Sequence, residues 1–237
     1  MKKTLEAFRG SLAPVQVAEG IRAASANAAR LAHDAELLLK AGSFPTAMSI
    51  AILAIEEAGK VSILRSLALA RSQTEASASW KEYRSHTRKN VAWLLPQLAA
   101  QGARKLEDLR PLFEEDADHP YLLDQLKQLG FYTDCLGKAK WSSPTNAISQ
   151  ELAASLVETA HLLAASSSRE CTTREVELWV EHVGPVWRQD LGWMKQAVIN
   201  WYAAMQEAGL KPKGENSMEQ FVRVGIPPAA ASNDAGV

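Results

Sequence analysis

The chain is poor in cysteine. Cys135 and Cys171 are its only two. They form no CxxC and have no His pair nearby, which argues against a disulfide framework or a cysteine zinc site and fits a reducing cytoplasm. Long apolar runs are also missing. The longest, residues 47–55, is broken only by Ser49 and is about half of the ~20 residues that a membrane span needs. The opening MKKTLEAFRGSLAPVQVAEG has two lysines but no apolar core after them, so no secretory signal is expected. Nor is there an excess of one charge: 26 Lys+Arg face 27 Asp+Glu. That excludes a globally basic coat for nucleic acid and leaves room for a local basic surface. The five histidines lack metal-ligand spacing, with no HExxH and no HxH, and no GxSxG turn, phosphate loop, repeat or heptad run is present. No metal, cofactor or membrane contact is expected, and the chain reads as a soluble cytoplasmic protein.

What is there is alanine, leucine and helical spacing. With 237 residues and 47% hydrophobic content, the chain can fill one core, with or without appendages. No stretch alternates at period two convincingly, so the fold class is all-α. A first helix is expected over 15–41, with the stripe Val17, Ile21, Ala24, Ala28, Leu31, Ala35, Leu38, an opening Pro14 and a stop at Gly42. A second, over 45–71, is apolar all round in its first turns and belongs at the centre. After a linker SQTEASAS, a third is expected over 80–100, kinked at Pro96. Residues 103–118 read as irregular or briefly helical. A short helix begins near Asp118, and a fifth runs over 145–166. A last stretch over 174–208 carries Trp179, Trp187, Trp193 and Trp201 and should break at Gly184-Pro185. The expected organisation is a bundle over 1–168, a Trp-rich helical extension packed on it over 169–209, and a tail over 210–237 that is docked or mobile and disordered from about Pro227.

Three constellations carry chemistry. In AILAIEEAGK, Glu56 and Glu57 end an apolar run and Lys60 lies one turn on, within reach of either. Apolar positions resume immediately, so these carboxylates interrupt a buried helix, where each needs a partner. Gly59 leaves space for a close neighbour. In WKEYRSHTRKN, Glu82, His86 and Lys89 share one helical face, while Arg84 and Arg88 lie on another. Two readings stand for this segment. It is either a grip for RNA phosphates and bases, or an exposed face neutralised by the acidic residues of 107–118. In LGFYTDCLGKAKWSSP, Tyr132 and Asp134 leave a helix at a Gly-bounded turn.

SFPTAMSIAILAIEEAGK, followed by SHTRKN, LGFYTDC and a Trp-Ser-Pro turn, resembles the AbiV-type abortive-infection branch of the HEPN superfamily over about residues 20–165. The resemblance implies an up-and-down helical bundle that pairs into a homodimer. It also implies kinship with metal-independent ribonucleases, in which an Arg-x4-6-His motif assists attack of the RNA 2′-OH. This chain departs from that motif: Arg30–His33, Arg84–His86, Arg110–His119 and Arg174–His182 all have the wrong spacing. The alternative catalytic set is His86, Glu57, Lys60 and Lys89, with Arg84, Arg88, Tyr132 and Asp134 as RNA contacts. A second class of function stays open: a non-catalytic bundle that binds a phage or host protein, or an accessory subunit of a defence system. A carboxylate of the Glu56-Glu57 pair is expected to face Lys60, Lys89 or Arg88 across a polar cleft.

Overall fold

The computed structural model describes residues 6–113, 118–166 and 170–226. The expected boundary at 168/169, the acids of 114–117 and the expected disorder from 227 lie outside the described residues. Helix α1 (Pro14–Lys40) opens with proline in its first turn and ends at Gly42, whose φ of 74° lets the chain reverse. Its buried stripe is mostly alanine and runs from Val17 and Ile21 to Ala28, Ala32 and Ala35. Small side chains let α2 (Phe44–Ala68) lie close alongside it. Helix α2 has no exposed residue over its first three turns, with a half-buried face at Thr46, Ile50 and Leu53 and the other faces mostly buried, and α1 and later helices pack on it from several directions. It is the axis of the bundle.

The third expected helix is three α-helical pieces and a 3₁₀ turn. Helix α3 (Gln73–Arg84) begins in what reads as a linker, because the Ser72 hydroxyl accepts the Glu75 amide and caps it. At Ser85 the backbone is extended (ψ 130°), and the same residue caps α4 (His86–Lys89). A 3₁₀ turn (Val91–Leu94) and α5 (Leu95–Ala100) follow. Pro96 sits in the first turn of α5 instead of kinking a long helix, since a first-turn residue has no amide bond to lose. Residues 106–113 form a 3₁₀ segment.

Helix α6 (His119–Phe131) lies across α2. Beyond it the expected loop is a small antiparallel hairpin, β1 (Cys135–Leu136) with β2 (Lys140–Trp141), turned by Gly137 and Ala139 at positive φ. A short turn of helix, α7 (Pro144–Ala147), precedes α8 (Gln150–Ser166), because Ile148 is extended and separates them. Then come α9 (Thr173–Val183), a 3₁₀ turn at Gly184-Pro185, and α10 (Leu191–Glu207), capped by Asp190. Trp179 and Trp201 meet edge to face at 5.0 Å in a satellite core, with Arg65 over both rings. Trp193 is 66% exposed. The tail folds back as α11 (Ser217–Arg223) on α10, and the Ile226 amide donates to the Arg104 carbonyl at 2.7 Å. Among the described residues no helix is long and apolar enough to cross a membrane.

Two glycines seat the elements that matter for the site. A Cβ at Gly59 on α2 would overlap the Lys89 carbonyl oxygen on α4. One at Gly130 on α6 would overlap the Ser49 hydroxyl and meet the Pro45 carbonyl on α2. Replacing Gly59 with alanine is expected to destabilise the fold by about 1–3 kcal/mol through overpacking. Gly42→Ala, where a Cβ meets nothing, strains only the positive φ. Thermal melts of the two variants check this, and an unchanged Gly59→Ala would mean that α4 does not sit on α2 this closely.

Candidate functional site

Glu56 is the centre of the polar cluster. It lies in the apolar run of α2 with only 3% of its side chain exposed, and three nitrogens converge on it. Lys127 Nζ from α6 is 2.6 Å from Oε1. His86 Nδ1 is 2.7 Å from Oε2, and Lys89 Nζ is 3.1 Å from the same oxygen, both from α4. Asp124, one turn before Lys127, contacts that ammonium at 2.8 Å. The geometry there is that of an ion pair, because Asp124 Oδ1 makes no directed hydrogen bond. Two buried ammonium groups are thus matched by two carboxylates.

Local sequence explains each position. The cap at Ser85 starts a fresh turn, so His86 and Lys89 project three apart toward α2. Pro120, Leu123, Lys127 and Gly130 form the buried stripe of α6, so Lys127 stands where an apolar residue would ordinarily be. Burial alone would raise the Glu56 carboxyl. Hydrogen bonds from Lys127 and His86 and the charges of Lys89 and Lys127 outweigh it, holding the group below its ordinary 4.5. Burial likewise opposes the charge on Lys127, but Asp124 and Glu56 hold its pKa above 10.5.

The imidazole of His86 is 57% exposed although its Nδ1 is tied inward. An ionised carboxylate only accepts, so Nδ1 of the neutral ring carries the proton and Nε2 presents its lone pair to the outside. The Lys127 Nζ at 3.3 Å from Nδ1 is then a second donor and not a hydrogen-bond partner. A buried carboxylate that orients an exposed histidine is an arrangement for general acid–base chemistry.

The remaining candidates are distributed around this centre. Glu57 does not enter it: it pairs with Lys60 at 2.5 Å, and Lys60 lies over the Tyr83 ring at 5.0 Å. The carboxylate that meets His86 and Lys89 is the neighbouring Glu56. Arg84 is engaged elsewhere, stacked on Trp80 at 5.0 Å and donating to the Phe8 carbonyl at 2.5 Å, which fastens the N-terminal segment. Arg88 is exposed, and its guanidinium makes no ion pair among the described residues. Tyr132 and Asp134 line a cavity of about 620 Å³ that reaches Asp124 at the edge of the cluster, while His86, Glu56 and Lys89 do not line it. Glu107 pairs with Lys195 on α10 and not with the basic segment.

A family model for HEPN AbiV, described as AbiV, matches residues 16–165. The chain belongs to the AbiV family. Membership carries an abortive-infection, antiphage role, and the matched span holds every residue of the Glu56 cluster. No curated protein and no solved structure matches the chain. The Trp-rich helices α9 and α10 lie beyond the AbiV match.

In this AbiV-family chain the cluster sets a pH window. The Glu56 carboxyl is more acidic folded than unfolded, so it adds stability above pH 4.5, and this is lost as pH falls through the lower folded value. Lys127 is shifted upward, so its contribution is complete below pH 10.5 and is lost above the raised folded value. Glu56→Gln leaves two buried ammonium groups short of a counter-charge and is expected to cost about 3–5 kcal/mol near neutral pH. The gap to the parent should narrow as pH drops below 4.5. Urea titrations of both proteins from pH 3 to 8 measure it. A constant gap would remove Glu56 from the account.

Proposed function

We propose that this protein carries out its antiphage role by cleaving RNA, with His86 as general base and Glu56 as the carboxylate that orients it. The observation that carries the reading is the 2.7 Å contact between a buried, charge-balanced Glu56 and the Nδ1 of an exposed His86. Nε2 takes the proton of a ribose 2′-OH, and the 2′-oxygen attacks the adjacent phosphorus. The P–O5′ bond breaks as the 5′-oxygen takes a proton from solvent water, the imidazolium returning its own proton to solvent. The products are 2′,3′-cyclic phosphate and 5′-hydroxyl ends. Lys89 and Lys127 keep Glu56 ionised and so keep Nδ1 protonated. Arg88 supplies positive charge for the phosphodiester at the rim, and the Tyr132–Asp134 cavity receives a flanking nucleotide. Glu57 and Lys60 hold α2 against Tyr83 on α3. A homodimer, implied by the family resemblance, would place a second His86 in the assembly.

A second reading has its own support. Tyr121, Leu122, Tyr132, Leu136 and Trp141 are exposed along α6 and the hairpin, Trp141 to 77%. Exposed large apolar side chains of this kind suit a protein partner, from phage or host, that is bound without chemistry.

Purified protein is incubated with total cellular RNA, with and without EDTA, beside His86→Ala and Arg84→Ala. Cleavage that survives EDTA, leaves cyclic phosphate ends and drops by roughly 10²-fold or more in His86→Ala is the expected result. Arg84→Ala should retain it. His86 is exposed, so the variant should stay folded by circular dichroism. Intact RNA throughout would pass the weight to the partner-binding reading, and equal cleavage by His86→Ala would remove His86 as the base.

A further inference from the structure

We propose that the centre is a metal-type ligand triad whose cation is supplied by the chain itself, as the ammonium of Lys127. Glu56, His86 and Asp124 each offer a ligand atom, and these atoms all lie within 4.8 Å of one another. Ligand atoms around a divalent ion with bonds of about 2.0–2.2 Å stand roughly 3–3.6 Å apart, so the wider spacing here suits the longer contacts of an ammonium and would close by about an ångström around a metal. Lys127 Nζ already occupies the space between them, 2.6 Å from Glu56 Oε1, 2.8 Å from Asp124 Oδ1 and 3.3 Å from His86 Nδ1.

The cation bears on which histidine nitrogen is available. A metal at this point would take the Nδ1 lone pair and leave the proton on Nε2, so the exposed nitrogen would be a donor. The ammonium here lies closer to Glu56 Oε1 and Asp124 Oδ1, at 2.6 and 2.8 Å, than to Nδ1 at 3.3 Å. It does not need the Nδ1 lone pair, and the 2.7 Å contact with Glu56 Oε2 takes the Nδ1 proton. The ammonium neutralises Glu56 from the other oxygen and leaves the Nδ1 proton directed at Oε2. The Nε2 lone pair then faces outward. Lys127 is therefore a positioning residue for His86. This last step rests on the reading of His86 as the base, whereas the placement of the cation does not. The tether matters too: the ammonium is carried on α6, whose Gly130 packs against the Ser49 hydroxyl of α2, so it cannot dissociate or be chelated.

The test replaces Lys127 with alanine in the full chain and titrates parent and variant with Co²⁺ by calorimetry and visible absorption. The expected result is that Lys127→Ala binds Co²⁺ at least ~tenfold more tightly than the parent, with ligand-field bands, and that a further His86→Ala substitution reverses the gain. If Lys127→Ala is unfolded, Co²⁺ should restore its helical signal, since metal binding to this triad then drives folding. A folded variant that binds Co²⁺ no better than the parent overturns the proposal, as does an unfolded one that Co²⁺ does not recover. Parent binding that His86→Ala abolishes also overturns it, because the ammonium would then yield its place to a metal. No RNA enters this measurement, so its outcome is separate from whether the protein cleaves RNA.

Discussion

A carboxylate buried on the central helix of a bundle has to be matched within a few ångströms, and the arrangement around Glu56 follows from that requirement. Water cannot reach it, so the compensation comes from the chain: one lysine through α6, and one lysine with one histidine through α4. The Coulomb attraction in this setting is strong, but so is the desolvation of every ion involved. The cluster thus adds little net stability over an apolar core of the same volume. What it does is penalise any arrangement in which α4 or α6 is displaced, because each displacement leaves a charge behind. The interior trades stability for position.

The backbone makes the same demand in another form. Gly59 and Gly130 remove the side chains that would hold α4 and α6 away from α2, and the salt-bridge lengths depend on that approach. Helix α2 therefore carries both halves of the device within one turn, the charge at Glu56 and the gap at Gly59. This accounts for the motif AIEEAGK in physical terms. Glu57 and Lys60, on the adjoining face, pair with each other at the boundary with α3.

Much of this was legible. The all-round apolar start of α2 points to its central place, the gap at Gly59 to a close neighbour, and the shared face of His86 and Lys89 to a common partner, which is Glu56. The choice between Glu56 and Glu57 was not legible, because adjacent residues on a helix differ by rotation and only the packing of neighbours says which one turns inward. Lys127 is absent from the sequence-derived site, although it carries a signal: it occupies the apolar position of the Pro120–Leu123–Gly130 stripe, where a lysine needs an anion. The break within 80–100 is not legible either, since Ser85 reads as an ordinary helical residue and only its hydroxyl's place as a cap marks a new turn. The hairpin at 135–141 is not legible because two-residue strands carry no alternating pattern. Membership of the AbiV family, by contrast, was readable from the α2 segment and its followers.

The break at Ser85 bears on how this region tolerates change in length. In a continuous helix each residue added or removed turns everything beyond it by about 100°, so one insertion in α3 would carry His86 round to another side. An extended residue between two helices interrupts that transmission. Helix α4 takes its orientation from its own cap and from its seat on α2, not from the phase of α3. The chain upstream, where Trp80 and Arg84 grip the N-terminal segment, can lengthen, shorten or rotate while the histidine keeps its bearing.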